Sequence, residues 1–228
     1  MTINIVVEGR TEENFINSVL VPHFAKQQKY IYIYARCILT GRDARQNKPA
    51  KGGLKKYQQF KGDLSKWVRS SKYNNKVYFS SFIDLYAFPK DEQSPFTEEL
   101  RKIKDPYKKT ELLEKAIAAD IGMGNFIPYI QMHEFESFVF ADLEHLKNLF
   151  FENGQEISQL QKETAGMNPE EINETSEGAP SKRIISILPR YEWEKASAGP
   201  LVAESIGITI LREKCPHFNE WLIKLENL

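Results

Sequence analysis

The segment Ile5-Val6-Val7-Glu8-Gly9-Arg10-Thr11-Glu12 narrows the possible folds more than any other stretch. Ile3 to Val7 is an apolar run broken only by Asn4, the pattern of a short buried strand. It stops at a carboxylate, Glu8, and Gly9 then permits a tight turn. Thr11 is placed to cap a following helix, whose apolar positions Phe15, Ile16, Val19 and Leu20 recur at helical spacing. A strand that ends on an acid, turns at once and enters a helix is an α/β unit. In open α/β sheets, sites form at the carboxyl ends of the strands. Glu8 is thus either placed for chemistry or a solvated turn residue that complements a helix N-terminus.

The same alternation repeats downstream. Tyr30 to Leu39, rich in β-branched and aromatic residues, predicts a second strand. Thr40 to Gly53 reads as a basic, glycine-containing loop, and Lys55 to Ser70 as a helix with Tyr57, Phe60, Leu64, Trp67 and Val68 on its apolar stripe. Val77 to Ile83 predicts a third strand, and it too meets an acid, Asp84. A long, proline-bearing connection leads to a helix at 107–121. Asn125 to Met132 predicts a fourth strand, at an edge or starting late because Pro128 cannot donate to a ladder. It runs into His133-Glu134-Phe135-Glu136. The expected fold is α/β: a mostly parallel four-stranded sheet with helices on both faces, plus a helical C-terminal extension. The expected division is an α/β core over 1–150 and, over 151–228, an acidic insertion and helical extension packed on that core. Phe135, Phe138, Val139, Leu143 and Leu146 form a helical stripe at the end of the core. Glu152 to Ala179 reads as a mobile insertion. Short helices follow at 180–188, 196–206 and 216–225.

Right-handed crossovers place all the strand C-termini along one edge. Glu8, Asp84 and the Glu134/Glu136 pair would then converge, and their mutual repulsion calls for a cation. Oxygen donors without clustered His or Cys favour Mg²⁺ or Mn²⁺, ions suited to phosphoryl chemistry. Glu134 and Glu136 share a face if the strand persists; in a helix they are about 200° apart, and only one can reach the metal. Glu134 is the favoured ligand, with Glu136 in support. His133 beside them is either a hydrogen-bonded structural residue or a group that orients phosphate or shuttles a proton.

The chain of 228 residues carries zero formal net charge, which by itself advertises no polyanionic partner. Its distribution is uneven. From Arg42 to Lys76 there are eleven Lys or Arg against two acids, and from Glu152 to Gly178 seven Glu against one Lys. Arg10, Arg42, Lys51 and Lys55 are candidate phosphate contacts, as are Lys182 and Arg183, which follow Pro180-Ser181 at a helix start. Lys182 would neutralise developing phosphate charge. Cys37 and Cys215 are too far apart in sequence to read as a disulfide framework or zinc knuckle, and both are expected to be buried. No apolar run approaches the roughly 20 residues that span a bilayer, and a strand begins within a few residues of Met1. The expected location is cytoplasmic.

Glu8 in Val-Glu-Gly-Arg-Thr-Glu and the strand-ending Asp84 resemble the Toprim domain, the metal-binding α/β module of topoisomerases, primases and overcoming-lysogenisation-defect nucleases. Val7-Glu8-Gly9-x-Thr11-Glu12, Asp84-Leu85-Tyr86, His133-Glu134-Phe135-Glu136, Pro180-Ser181-Lys182-Arg183 and Cys215-Pro216-His217-Phe218-x-x-Trp221 are together similar to a bacterial family of small standalone Toprim-like proteins of unassigned function. The resemblance implies a Mg²⁺-dependent phosphodiesterase acting on DNA or RNA, with an ATPase partner in phage defence. Glu8 falls on the Toprim glutamate and Asp84 on its first aspartate. Tyr86 stands where the second aspartate is usual, so Glu134 or Glu136 substitutes or the site is degraded. The alternative function is a non-catalytic module that docks to the ATPase. A homo-oligomer is compatible with either.

Overall fold

The structure, a computed structural model, describes residues 1–27, 30–43, 48–51, 53–71, 76–172 and 178–228, with backbone alone over 40–51. The chain forms two compact units, Met1–Ile130 and Gln131–Leu228. The boundary thus falls after Ile130, not near residue 150. The Phe135–Phe140 stripe is buried, but helical periodicity reports burial without saying which core receives it.

The first unit is the α/β unit expected. Strand β1 (Thr2–Val7) lies between β2 (Tyr32–Cys37) and β5 (Val77–Asp84), parallel to both. Between β2 and β5 in sequence, β3 (Leu39–Asp43) pairs antiparallel with β4 (Lys48–Lys51) in a separate small sheet. The segment read as a basic loop therefore contains paired strands. A short strand β6 (Phe126–Ile127) lies parallel to β5 on its other side, giving the order β2-β1-β5-β6.

Alternation along β1 explains why helices cover both faces. Ile5 and Val7 face one side and Val6 the other, and all are buried. The first helical run, Arg10–Phe15 continued by a π turn at Ile16–Leu20 and by Val21–Ala25, brings Phe15 edge-to-face on Phe82 of β5. On the opposite face, Val6, Phe79 and Ile83 join a core with Tyr57, Phe60 and Leu64 of the helix Tyr57–Ser70 and Leu113 and Ile117 of the helix Pro106–Ile121.

Pro128 interrupts the last strand as its chemistry requires. The Ser81 side chain on β5 replaces the lost ladder: its hydroxyl donates to the Tyr129 carbonyl at 3.1 Å and accepts from the Tyr129 N–H at 3.0 Å. Beyond it, the Ile130 N–H donates to the buried Glu114 carboxylate at 2.9 Å.

The second unit is helical. A 3₁₀ segment, Phe135–Ala141, replaces the α-helix that periodicity predicts there. Phe138 of this segment packs at 4.9 Å between ring centres on Phe218 of the helix Pro216–Glu226. The helices Leu143–Leu149, Pro180–Ile187, Tyr191–Ile206 and Ile208–Lys214 belong to the same unit. Much of the stretch expected to be a mobile insertion forms helical segments among the described residues. The helix Gly154–Glu163 buries Ile157 and Leu160, and a 3₁₀ turn, Pro169–Glu171, buries Glu170 completely. The acidic composition concealed that one of the acids is a hydrogen-bond acceptor: Glu170 takes the N–H groups of His217 and Phe218 at 2.9 and 3.0 Å. Positions 173–177 of that stretch lie outside the described residues. Both cysteines are buried free thiols, and no described helix is long and apolar enough to cross a membrane.

Candidate functional site

In the first unit, Glu8 and Asp84 stand at the carboxyl ends of neighbouring parallel strands. Val7 is in register with Phe82, and the Glu8 N–H donates to the Phe82 carbonyl at 3.2 Å. Asp84 is the last residue of β5 and Glu8 the first beyond β1. Adjacent strands lie about 4.8 Å apart, so the two acids share one sheet edge. Both side chains are half-buried; Oε2 of Glu8 and Oδ1 of Asp84 are sealed from solvent.

The turn after Glu8 is held by a residue that sequence reading passed over. Gly9, not Thr11, is the N-cap of the first helix. The buried Glu12 reaches back to accept the Gly9 N–H at 2.7 Å. The spacing of a cap residue and a Glu three positions on is the signal that finds it. Arg10, next in the chain, is exposed. Tyr86, two residues beyond Asp84, is an exposed phenol.

Glu134, Glu136, Lys182 and Arg183 belong to the second unit, where each has a local setting. His133 takes a left-handed backbone conformation, φ 62°, that turns the chain into the 3₁₀ segment. Such a conformation is uncommon outside glycine, and His tolerates it better than most. Glu134 is half-buried and accepts the Ser181 N–H at 2.9 Å, capping the helix Pro180–Ile187. Glu136 is buried beside Tyr191. Burial first, then the charges of Glu136 and Glu134, push the Tyr191 phenol well above its ordinary pKa, so it stays protonated. Lys182 is exposed, while Arg183 gives its Nε to the Gly178 carbonyl at 2.8 Å. Two of the acids read as metal ligands therefore also hold the second unit together. Among the described residues, no group of three or more His, Cys, Asp or Glu side chains is arranged to hold a metal ion.

Lys55 is exposed at the start of the helix Tyr57–Ser70. The side chains of Arg42 and Lys51 lie outside the described residues.

A metal fits the first unit on the chemistry of the donors. Mg²⁺ keeps most of its waters and is commonly held by one or two carboxylates. Glu8 and Asp84 supply that number of hard oxygen ligands at the edge where an open α/β sheet forms its sites.

Fold and site together define an α/β protein with two acids at neighbouring strand ends on the sheet's carboxyl edge and a helical second unit. The chain belongs to the family described as Domain of unknown function (DUF4276), which matches residues 7–226. No curated protein and no solved structure matches it.

Proposed function

We propose that the chain is a Mg²⁺- or Mn²⁺-dependent phosphodiesterase that cleaves nucleic acid. The observation that supports this reading is the placement of Glu8 and Asp84 at the ends of two hydrogen-bonded parallel strands. Their carboxylates would hold the ion. When bound, the ion neutralises phosphate charge and lowers the pKa of attacking water. Glu12 fixes the Gly9 turn and so the direction from which Glu8 approaches; it is a positioning residue. Arg10, exposed beside that turn, meets a phosphate oxygen. An ATPase partner belongs to the same proposal, on the resemblance to the standalone Toprim-like proteins.

The test is cleavage of labelled oligonucleotides with and without Mg²⁺ or Mn²⁺, paired with Mn²⁺ binding followed by electron paramagnetic resonance. Glu8→Gln and Asp84→Asn are each expected to lower cleavage by about 100-fold or more and to weaken Mn²⁺ binding. Cleavage and Mn²⁺ binding that survive both substitutions overturn the reading. Tyr86 and the bond from Ser181 to Glu134 favour one rival, a docking module. That rival requires tight ATPase binding that Glu8→Gln leaves unchanged and no cleavage by the wild type.

A further inference from the structure

Strand β2 forms one edge of the first unit's sheet, and its outward residues are unusual for an edge. Alternation turns Ile31, Ile33 and Cys37 inward and Tyr32, Tyr34 and Arg36 outward. Tyr30, Tyr32 and Tyr34 are 80%, 57% and 54% exposed. Edge strands ordinarily carry lysine, proline or short polar residues, which discourage pairing with other chains. Here three phenol rings stand in solvent. Tyr30 is moreover in the left-handed region, φ 51°, a conformation costly for a bulky residue.

Three hollows border this strand. The first, about 380 Å³, is bordered by Tyr30, Tyr32 and Tyr34. The second, about 520 Å³, shares Tyr34 and adds Arg36 and Trp67. The third, about 300 Å³, shares Arg36 and Trp67 and reaches Lys66. The Arg36 guanidinium lies 4.4 Å from the centre of the Trp67 ring, so its plane is held over the indole while Arg36 stays exposed. Among the described residues, no acid lines the first two hollows. Asp63 in the third is already bonded to the Leu39 N–H at 2.6 Å and to Lys66 at 2.9 Å.

We propose that the β2 edge is a binding strip for single-stranded nucleic acid. Bases stack on Tyr32, Tyr34 and the Arg36–Trp67 pair, and the cations that line the second and third hollows, Arg36 and Lys66, attract the phosphates. Aromatic rings serve unpaired bases, whose faces a duplex hides in its own stack. The inference rests on the reading of a nucleic-acid phosphodiesterase and names its substrate as an unpaired strand.

The experiment titrates the full chain, in EDTA, against a fluorescent oligothymidylate of about 16 nucleotides and against the same strand in duplex. The expected result is at least tenfold tighter binding of the single strand. Tyr34→Ala weakens it about tenfold, equivalent to about 1.4 kcal/mol, while Tyr34→Phe retains it. Equal affinity for duplex, or unchanged affinity in a folded Tyr32→Ala/Tyr34→Ala variant, overturns the proposal. So does a dimer that this double variant dissolves, because the strip then joins two copies. Photo-crosslinking with bromouracil in the oligonucleotide gives a readout free of any substitution: adducts within 30–36 support the strip and adducts only elsewhere refute it. Because binding is read without metal, single-strand binding without cleavage leaves the strip standing and removes only the catalytic reading. Cleavage indifferent to the tyrosines does the reverse.

Discussion

Glu170 offers the sharpest test of how the second unit is held. Its side chain is fully buried, and its two oxygens each accept one backbone N–H at the start of the helix Pro216–Glu226. A hydrogen bond to a charged acceptor contributes about 1.5–3 kcal/mol, so the pair is worth roughly 3–6 kcal/mol before offsets. Removing the carboxylate also returns part of the cost of burying it. Glu170→Ala should therefore destabilise the protein by about 3 kcal/mol. Glu170→Gln keeps one acceptor oxygen of two and should lose about half as much. The assay is guanidinium denaturation followed by tryptophan emission, with Trp221 buried in the affected helix. For an m value of about 5 kcal/mol/M, the alanine variant's midpoint falls by about 0.6 M. A loss of less than about 0.5 kcal/mol, the range of ordinary surface changes, would refute the assignment of Glu170 as the cap of that helix.

A methyl group at Gly199 would meet the Tyr191 hydroxyl at 3.0 Å and the Phe135 ring at 3.1 Å. Gly199→Ala should cost about 1–3 kcal/mol in thermal or chemical denaturation. Gly62, inside the helix Tyr57–Ser70, has open space around it, and Gly62→Ala should stabilise by about 0.5–1 kcal/mol. Burial first, then the hydrogen bond to Asp120 and that carboxylate's charge, raise the Tyr57 pKa far above 10. The folded state thus keeps a proton that the unfolded chain sheds. The resulting stability is complete below about pH 10 and declines as pH rises past it. Denaturation midpoints measured at pH 8 and pH 10.5 should show this fall, and Tyr57→Phe should reduce the slope while costing about 1 kcal/mol at neutral pH.

The residues that proved legible in sequence were those whose role is local. Apolar runs stopping at Glu8 and Asp84 put both acids at strand ends, because period and length specify a strand before any partner is known. Pro128 foretold the interruption between β6 and Ile130, since its missing donor is a property of the residue. What stayed hidden depends on partners distant in sequence. Nothing near Glu170 announces that it will accept from His217 and Phe218, so its neighbourhood reads as solvated acid. Glu134 similarly meets the Ser181 N–H across 47 positions. Tyr32 and Tyr34 fit a strand equally well at the edge or in the middle of a sheet; strand order alone exposes them. The pairing of Leu39–Asp43 with Lys48–Lys51 was obscured by Gly41 and a dense run of basic residues, a composition that suits loops as well as short solvent-facing ribbons.

The bond from Glu170 to the last helix also orders events during synthesis. Residues 1–130 form a contiguous unit and can acquire their structure as they leave the ribosome. Glu170 must wait for its two donors, His217 and Phe218, to emerge. Until then the nascent second unit holds an anion with no place to be buried.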